Sequence, residues 1–595
     1  MTDPREFYKQ KSNELEANAS TLGKSVLRLS WARFVLFLVF ITLFVYFANG
    51  RDYAAMVTCA VIFPLAFGTL VRVFNKLSDR LRFIKDLNTI CQSELKRAAL
   101  ELDELDGGEE FMDRSHFYSY DLDLFGEHSL FKLLNRTNTP DGRSKIRDWM
   151  LEPARPQEIN ERQNAVRELS EKIKWILKFL AHGVSASSSS DKANRLKIWF
   201  ERKDDHTTPP LVRIYLYLAP VLFIVILAGI IFAGLSIYWF VPLLIFNGVL
   251  LARNQEKIRD LAEQTDGNVR LLRSYESMIR QFSEAEFKAK RLLALQEPFR
   301  HQALRTIRSL RNLLDYMDGR GNMFYSLFNI IFLIDIHLIG KMANWKSSNR
   351  EDLIQWFENL SEMEVLCSLG AHSFLHPDHI LPAVEESWEL QASSIGHPLI
   401  PHEECVTNDF KMGGKGKVVI ITGSNMSGKS TFLRTVGINV VLGLMGAAVY
   451  ARDMRIPVVR LFTGMRTEDD LASHISSFYA ELRRIRYLLD TISDSGLPVL
   501  FMLDEILRGT NTEDRHRGSE GLVRQLADMD AFGFISTHDL AIGELARKDD
   551  RIKNYSFNSS IEEDEILFDY KISEGICRSF NASKLMEKMG IRLDK

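Results

Sequence analysis

The segment Val418–Thr431 has the sequence VVIITGSNMSGKST, and it decides the fold of the C-terminal part of the chain. Its first residues are apolar and β-branched, which predicts a buried strand. The residues after them fit the pattern G-x-x-x-x-G-K-[ST], which forms a phosphate-binding loop when it lies between a strand and a helix. The segment therefore predicts an α/β nucleotide-binding domain.

Each residue type in this loop has an expected role. Gly423 and Gly428 let the backbone turn so that its N–H groups point at phosphate oxygens. Lys429 is expected to reach the β- and γ-phosphates, and the Ser430 hydroxyl to bind Mg²⁺. ATP and Mg²⁺ are therefore the expected cofactors. The predicted ATP-binding residues of the loop are Gly423, Ser424, Asn425, Met426, Ser427, Gly428, Lys429, Ser430 and Thr431.

Two further apolar strands are predicted downstream, and each ends in polar residues. The strand Pro498–Leu503 runs into Asp504 and Glu505. Here Asp504 is expected as a second metal ligand, and Glu505 as the base that activates the attacking water. The strand Phe532–Ser536 is followed closely by His538, which is expected to sense the γ-phosphate. Glu505 and His538 are therefore the predicted catalytic residues.

Two regions of the chain are apolar without interruption by charge. Phe34–Gly50 and Tyr53–Val71 are separated only by Arg51 and Asp52, and Ile214–Ala252 contains no charged side chain. Because about 20 residues cross a hydrocarbon core of about 30 Å, each region predicts a hairpin of two membrane-spanning helices. The alternative is a pair of buried core helices, but these segments are apolar on every face, which favours the membrane.

Basic residues flank both predicted hairpins, and such residues stay on the cytoplasmic side of a membrane. We therefore predict a multi-pass protein of the cell (inner) membrane whose soluble domains face the cytoplasm. The flanking residues are Lys24, Arg28, Arg33, Arg72, Lys76, Arg80 and Arg82 for the first hairpin, and Arg202, Lys203, Arg213, Arg253, Lys257 and Arg259 for the second.

A third apolar stretch, Phe324–Gly340, contains Asp335 and His337, so we predict a core helix rather than a fifth span.

The overall composition excludes several classes of protein. A length of 595 residues predicts several structural units. Hydrophobic and charged residues make up 46% and 26% of the chain, which excludes a largely disordered protein. The net charge of -3 provides no global cationic field, so any contact with DNA must come from local patches. The five cysteines form no CxxC pair, which indicates a reducing compartment and neither a disulfide framework nor a zinc site.

The motifs, taken in order, resemble those of the MutS family, ATP-driven DNA mismatch-recognition proteins that belong with the ABC-type ATPases. Residues 422–431, TGSNMSGKST, are similar to the family's TGPNMGGKST. Residues 504–512, DEILRGTNT, resemble its DEIGRGTST, and residues 536–538, STH, its ATH. The segment 406–409, VTND, resembles the one that the family places against the nucleotide. The resemblance implies an ABC-type ATPase and adds Asn408 to the ATP-binding residues.

The resemblance also implies a homodimer. In the family, a serine-containing helix start of one subunit completes the ATP site of the other. The matching segment 469–478, DDLASHISSF, departs from the family's DDLASGRSTF at His474 and Ile475. It retains Ser476 and Ser477, which are implied to bind ATP in trans. Upstream, residues 130–137, LFKLLNRT, resemble the start of the family's helical core, and residues 362–369 resemble its lever helix.

The expected contacts with DNA differ from those of the family. The Phe-x-Glu wedge that reads mismatches has letter matches at Phe125–Glu127 and Phe282–Glu284, but the first lies in the core-start motif and the second in a helical run. We therefore predict neither as a wedge. Double-stranded DNA remains an expected partner through cationic side chains of the helical arm, the alternative being a solvated helix face. These side chains are Arg270, Arg273, Arg280, Lys288, Lys290 and Arg291.

Together these features predict an α+β multidomain protein in which a helical core and lever with two transmembrane α-hairpins precede an α/β P-loop ATPase domain of ABC type. The expected function is a membrane-anchored MutS-type ATPase with ATP-dependent DNA binding of the mismatch-repair kind, in which hydrolysis opens and closes a dimer clamp. The alternatives are a membrane-bound switch without DNA binding and an ABC-like transporter. The predicted divisions are a cytoplasmic N-terminal segment (1–30), hairpin 1 (31–74), an amphipathic helical connector (75–120), the core start (121–210), hairpin 2 (211–253), the helical arm and lever (254–370) and the ATPase domain (371–595).

Overall fold

The computed structural model describes residues 3–577 apart from 188–194, 197, 201, 203–208, 266–267, 301, 319, 321–322, 425, 467–476 and 563–564. The chain is helical as far as Leu375 and mixed α/β after it. The helices of the first part are α1 (Pro4–Asn49), α2 (Tyr53–Ala98), α3 (Leu130–Leu134), α4 (Pro140–Leu151), α5 (Pro156–Glu171), α6 (Ile173–Ser187), α7 (Pro210–Ala233), α8 (Phe240–Thr265), α9 (Asn268–Ser283), α10 (Lys290–Gln296), α11 (Ala303–Asp318), α12 (Met323–Phe332) and α13 (Ile334–Leu375).

The α/β part contains two sheets in its described residues. Its strands are β1 (Ala383–Glu385), β2 (Glu389–Ile395), β3 (Asn408–Gly413), β4 (Val418–Thr422), β5 (Asp453–Pro457), β6 (Arg460–Gly464), β7 (Val499–Asp504), β8 (Ala531–Thr537), β9 (Ile552–Glu562) and β10 (Glu565–Glu574). Its helices are α14 (Lys429–Met445), α15 (Ser477–Asp494), α16 (Thr512–Ala527) and α17 (Leu540–Gly543). The α+β class predicted from the sequence is therefore confirmed.

Among the described residues, four helices are long and apolar enough to cross a membrane: α1, α2, α7 and the stretch Ile237–Glu263 that contains most of α8. In the most apolar window of each helix, between 0% and 11% of the residues are buried inside the protein. These helices therefore do not form a buried core pair. Exposed apolar surface of this extent is typical of a region that contacts a membrane or another protein.

The first hairpin is fixed to the rest of the protein at its open end. The ring of Tyr8, on α1, is fully buried and packs edge-on against Phe374 of α13, with ring centroids 5.8 Å apart. Arg5 donates a hydrogen bond of 2.7 Å to the carbonyl oxygen of Ala98 at the end of α2. Helices α1 and α2 each continue without a break from the apolar half into the half that makes these contacts.

Helix α13 contains residues 362–369, which resemble the lever helix, and it joins the second hairpin to the α/β part. Near its start, Ile336 packs in a cluster with Leu216 and Ala219 of α7. The single core helix predicted over Phe324–Gly340 is not formed, because the chain breaks at Leu333, where φ is 52°. Helices α12 and α13 meet there at 75°.

The larger sheet places the predicted site residues at one edge. In the described residues its strand order is β10-β9-β4-β8-β7-β6, and β4 pairs in parallel with both β8 and β9. Strands β7 and β8 are parallel as well. Because the carboxyl ends of parallel strands share an edge, the loop after β4, the end of β7 and the residue after β8 are neighbours.

The segment before α3 ties the helical part to the α/β part. The buried carboxylate of Asp121 accepts hydrogen bonds from Thr463 Oγ1 at 2.6 Å and from Arg484 at 3.0 Å. Nearby, Asp123 contacts Arg434 of α14 at 3.0 Å. The orientation of α14, whose N-terminus forms the candidate site, is therefore coupled to the helical core.

Candidate functional site

The loop between β4 and α14 has the backbone geometry that phosphate binding needs. Gly428 has a φ of 101° and Met426 a φ of 73°, so the loop turns sharply before α14. As the N-cap of α14, Gly428 offers no side-chain oxygen to the N–H groups of the first turn, which leaves them for an anion. A Cβ atom at Gly423 would lie 2.7 Å from Ser427 Oγ and 3.0 Å from the carbonyl oxygen of Phe557, so the close packing here requires glycine.

The side chains of Lys429 and Ser427 place an ammonium group and a hydroxyl group inside this loop. Lys429 Nζ donates hydrogen bonds to the carbonyl oxygens of Gly423 at 3.0 Å and Ser424 at 2.9 Å. Burial lowers the pKa of Lys429, although the nearby carboxylates of Glu505 and Asp504 act in the opposite direction. Ser427 Oγ is buried and finds no hydrogen-bond partner among the described residues. A phosphate group is the ligand that these donors suit.

The predicted metal ligands lie together below the loop. Ser430 Oγ is 2.5 Å from Asp504 Oδ2, and the other oxygen of Asp504 accepts a hydrogen bond from the buried Ser536 hydroxyl. A hydroxyl and a carboxylate are hard oxygen ligands of the kind that Mg²⁺ prefers. Ser430 and Asp504 therefore fit the magnesium ion that the sequence motif implies.

The predicted catalytic pair is also brought together. Glu505 Oε1 lies 3.6 Å from His538 Nδ1, across the ends of β7 and β8. The other oxygen, Oε2, lies 3.1 Å from Arg508 Nε, and this guanidinium also approaches Asp504 Oδ2 at 3.6 Å. Arg508 therefore compensates the charge of both carboxylates. Its place in the DEILRGTNT motif was visible in the sequence, but its role between the two acids was not predicted.

Glu481, on α15, holds the turn that follows Glu505. The turn is strained, because Glu505 has a φ of 50° and Leu507 a φ of 60°. The carboxylate of Glu481 accepts hydrogen bonds from the backbone N–H groups of Leu507 and Arg508, the second at 3.2 Å. Burial raises the pKa of Glu481. Glu481 was not predicted from the sequence, because one glutamate on an amphipathic helix carries no distinguishing signal.

A cavity of about 250 Å³ opens beside the loop and continues the site away from the phosphates. Thr431 and Gly428 border it, so a nucleoside bound there would lead into the phosphate loop. Asn408 lines it as well, but its amide donates to the Tyr570 carbonyl oxygen at 3.1 Å and accepts from Ile572 N–H at 2.9 Å. Asn408 therefore holds β10 over the cavity. The other lining residues are Ile395, His397, Ile400, Glu404, Cys405, Val406, Phe432, Thr435, Phe557 and Tyr570.

Three predicted ATP-binding positions are not described in full. Asn425 and Ser476 lie outside the described residues, and so does the side chain of Ser477, the first residue of α15. The contact in trans that the family resemblance implies therefore stays a prediction.

The residues considered for DNA binding are mostly engaged within the protein. Phe125 and Phe282, the aromatic residues of the two Phe-x-Glu matches, are buried in the core, so neither ring is available as a wedge. Four of the six arm cations are ion-paired: Arg273 with Asp315 at 3.6 Å, Arg280 with Glu276 at 2.7 Å, Lys290 with Glu161 at 3.1 Å and Arg291 with Glu362 at 2.5 Å.

Two family models match this chain. Residues 419–590 match MutS domain V, and residues 97–184 match MutS domain III. The first match covers the sheet edge and loop described above, and the second covers α3 to α5 and most of α6.

Characterised relatives are similar to part of the chain. The DNA mismatch repair protein MutS of Thermotoga sp. (strain RQ2) is 30% identical over 231 residues, which are 38% of this chain and 28% of that protein. The DNA mismatch repair protein MutS of Halalkalibacterium halodurans is 30% identical over 222 residues, 36% of this chain and 25% of that protein. MutS protein homolog 4 of Mus musculus is 30% identical over 240 residues, 38% of this chain and 24% of that protein. The alignments thus span about a quarter of the length of these relatives.

Proposed function

We propose, from the premise that this chain belongs to the MutS family, that it is an ATPase anchored in the cell membrane by its two apolar hairpins. The observation that carries the proposal is the 2.5 Å approach of Ser430 Oγ to Asp504 Oδ2 beside a buried Lys429. The reaction is the hydrolysis of ATP to ADP and phosphate.

The roles of the site residues follow from their positions. The N–H groups of the loop and the Lys429 ammonium bind the phosphates. Ser430 and Asp504 would hold Mg²⁺, and the ion would supply positive charge to the phosphate oxygens. In this proposal Glu505 accepts the proton of the attacking water, and His538, 3.6 Å from Glu505, senses the γ-phosphate. On binding of the nucleotide, Lys429 exchanges the carbonyl oxygens of Gly423 and Ser424 for phosphate oxygens.

In this proposal ATP acts on a homodimer. Two ATPase domains close on each other, with Ser476 and Ser477 of each completing the site of the other. Closure is transmitted along α13, which is one continuous helix of 42 residues and therefore about 63 Å long. Both hairpins return to the cytoplasmic face of the inner membrane, where the soluble domains lie.

The partner that we propose first is double-stranded DNA, bound in the ATP state. The support is the family: two of the relatives above are named DNA mismatch repair proteins. Binding of the mismatch-repair kind without the aromatic wedge would rest on phosphate contacts, which carry no sequence information.

A second candidate is a membrane-bound conformational switch that does not bind DNA. The pairing of four arm cations with acidic neighbours favours it, because an ion-paired side chain must lose its partner before it contacts a phosphate. The apolar hairpin α7–α8 also lies in the chain directly before the arm helices. In this candidate the hairpin holds the arm at the membrane.

One binding experiment separates the two candidates. Purified Glu505→Gln protein in detergent is mixed with ATP and with matched, mismatched or branched duplexes over a salt series, and Lys429→Ala protein serves as the matched control that lacks the ATP state. The clamp is supported if DNA binds tightly only to Glu505→Gln with ATP, and if the logarithm of its affinity falls linearly with the logarithm of the salt concentration. If confirmed ATP occupancy brings no DNA binding even at low salt, the switch replaces the clamp.

A further inference from the structure

We propose that α12 and the first turns of α13 form a re-entrant element that dips into the bilayer beside hairpin α7–α8. Helix α13 then contacts the membrane at its N-terminal end and the ATPase part at its C-terminal end. This inference rests on the proposed membrane anchoring and adds a fifth, non-spanning insertion. It assigns a lipid-facing role to the exposed side chains of Leu327 and Phe328 on α12.

The tip of the element lies within the apolar run of α7, beside Leu216, Ala219 and Phe223. The rings of Phe332 and Phe223 pack edge to face with centroids 5.9 Å apart. Phe223 follows Arg213, the last charged residue before the apolar run, by 10 positions. At a rise of 1.5 Å per residue this is about 15 Å, or half of a hydrocarbon core of about 30 Å.

The lever leaves the membrane on the side where hairpin α7–α8 enters it. His337 Nε2 lies 3.1 Å from the carbonyl oxygen of Leu216, and its ring packs against Tyr217 at 5.5 Å. Leu216 is less than one helical turn beyond Arg213, so His337 lies close to the cytoplasmic interface. The chain is therefore level with Phe223 of α7 at Phe332, bends by 75° at the break, and is level with Leu216 again at His337.

A protein side chain bonds two of the carbonyl groups at the helix break. A helix break frees carbonyl groups, which are tolerated in a bilayer only when protein groups bond them. Asn247, fully buried on α8, donates to the carbonyl oxygens of Ile330 at 2.9 Å and Ile331 at 3.3 Å. Tyr215 donates to the Asn247 side chain at 2.7 Å and fixes its orientation.

The one carboxylate in this element is fully compensated. Asp335 accepts hydrogen bonds from the Tyr325 hydroxyl at 2.7 Å and from Asn329 Nδ2 at 2.8 Å. Arg320 Nε lies 3.1 Å from the same carboxylate. Charged groups at membrane depth are found paired and turned to the protein interior, as Asp335 is.

The outer face of the element continues the apolar surface of the hairpin. Leu327 is 57% and Phe328 is 49% exposed. On α7, Ile224 is 60% and Val225 is 59% exposed. Because α12 and α7 are in direct contact, their exposed apolar side chains form one continuous surface. We assign this surface to contact with the lipid bilayer.

The test is photocrosslinking of the full chain in liposomes. The photoreactive residue p-benzoylphenylalanine replaces Phe328 in one variant, Ile224 in a second and Tyr316 in a third. Tyr316 is an exposed aromatic residue on α11, outside the proposed insertion. After illumination, lipid adducts on the corresponding peptides are measured by mass spectrometry, and ATP turnover reports that each variant is folded.

We expect lipid adducts at position 328 in a yield comparable to that at position 224, and no lipid adduct at position 316. Adducts at 224 without adducts at 328 would overturn the re-entrant element and leave the membrane anchoring intact. Crosslinks from 328 to a second copy of the chain would also overturn it. Adducts at none of the three positions would contradict the anchoring itself.

Discussion

Glu94, on the helix that returns from the first hairpin, and Arg136, beside α3, form a buried ion pair with two parallel hydrogen bonds of 2.9 and 2.8 Å. Arg97 donates a third hydrogen bond to Glu94 at 2.8 Å. Burial raises the pKa of Glu94, but the guanidinium groups of Arg136 and Arg97 outweigh it and hold the pKa below its usual value. The carboxylate therefore joins the first apolar hairpin to the helical core as a charged group.

We expect Glu94→Gln to destabilise the protein by about 3 to 5 kcal/mol, because two buried guanidinium groups lose their counter-charge. The measurement is thermal unfolding in detergent. Glu104→Gln is the matched control, since Glu104 forms an exposed pair with Lys96 and should contribute little. Equal midpoints for the two variants would show that the buried pair does not fix the hairpin.

A second prediction concerns Glu364 on the lever helix. Burial raises the pKa of Glu364 from 4.5 to about 7, and hydrogen bonds from Asn138 N–H and the Thr139 hydroxyl oppose this rise only in part. Between these two values the folded state keeps a proton that the unfolded state has lost. The free energy of unfolding therefore falls by about 3 kcal/mol as the pH rises through this window.

Glu364→Gln should remove this pH dependence, because the amide does not ionise. We expect the unfolding midpoint of the wild type to drop more than that of the variant as the pH rises through this window. The comparison is made by thermal unfolding in one detergent at constant ionic strength. Parallel curves for the two proteins would mean that Glu364 titrates normally in the folded state.

A third prediction concerns Glu481, which acts through the turn that follows Glu505. Glu481→Ala removes the acceptor of two backbone N–H groups, so Glu505 loses its position and kcat should fall by about tenfold to a hundredfold. The KM for ATP should stay nearly constant, because the phosphate loop is untouched. Glu481→Gln retains one acceptor oxygen and should recover part of kcat. A variant that changes KM instead of kcat would argue against this positioning role.

The sequence predicts the parts of the site that are local. The phosphate loop is encoded in consecutive residues, and Asp504, Glu505 and His538 each follow an apolar strand, so the parallel sheet brings them together. Glu481 and Asp121 were not predicted, because their roles arise only when distant segments meet. The break at Leu333 was missed for a similar reason: a leucine carries no signal for a φ of 52°, and the contacts of Asn247 and Asp335 hold the chain there.

The most direct test of the central claim is ATP turnover and ATP binding by wild type, Lys429→Ala and Glu505→Gln in liposomes. We expect phosphate release by the wild type and loss of ATP binding and turnover in Lys429→Ala. Glu505→Gln should bind ATP normally, remain in a closed dimer and release phosphate about 10² to 10⁴ times more slowly. Turnover by Glu505→Gln at the wild-type rate would contradict the assignment of Glu505, and full turnover by Lys429→Ala would contradict the site as a whole.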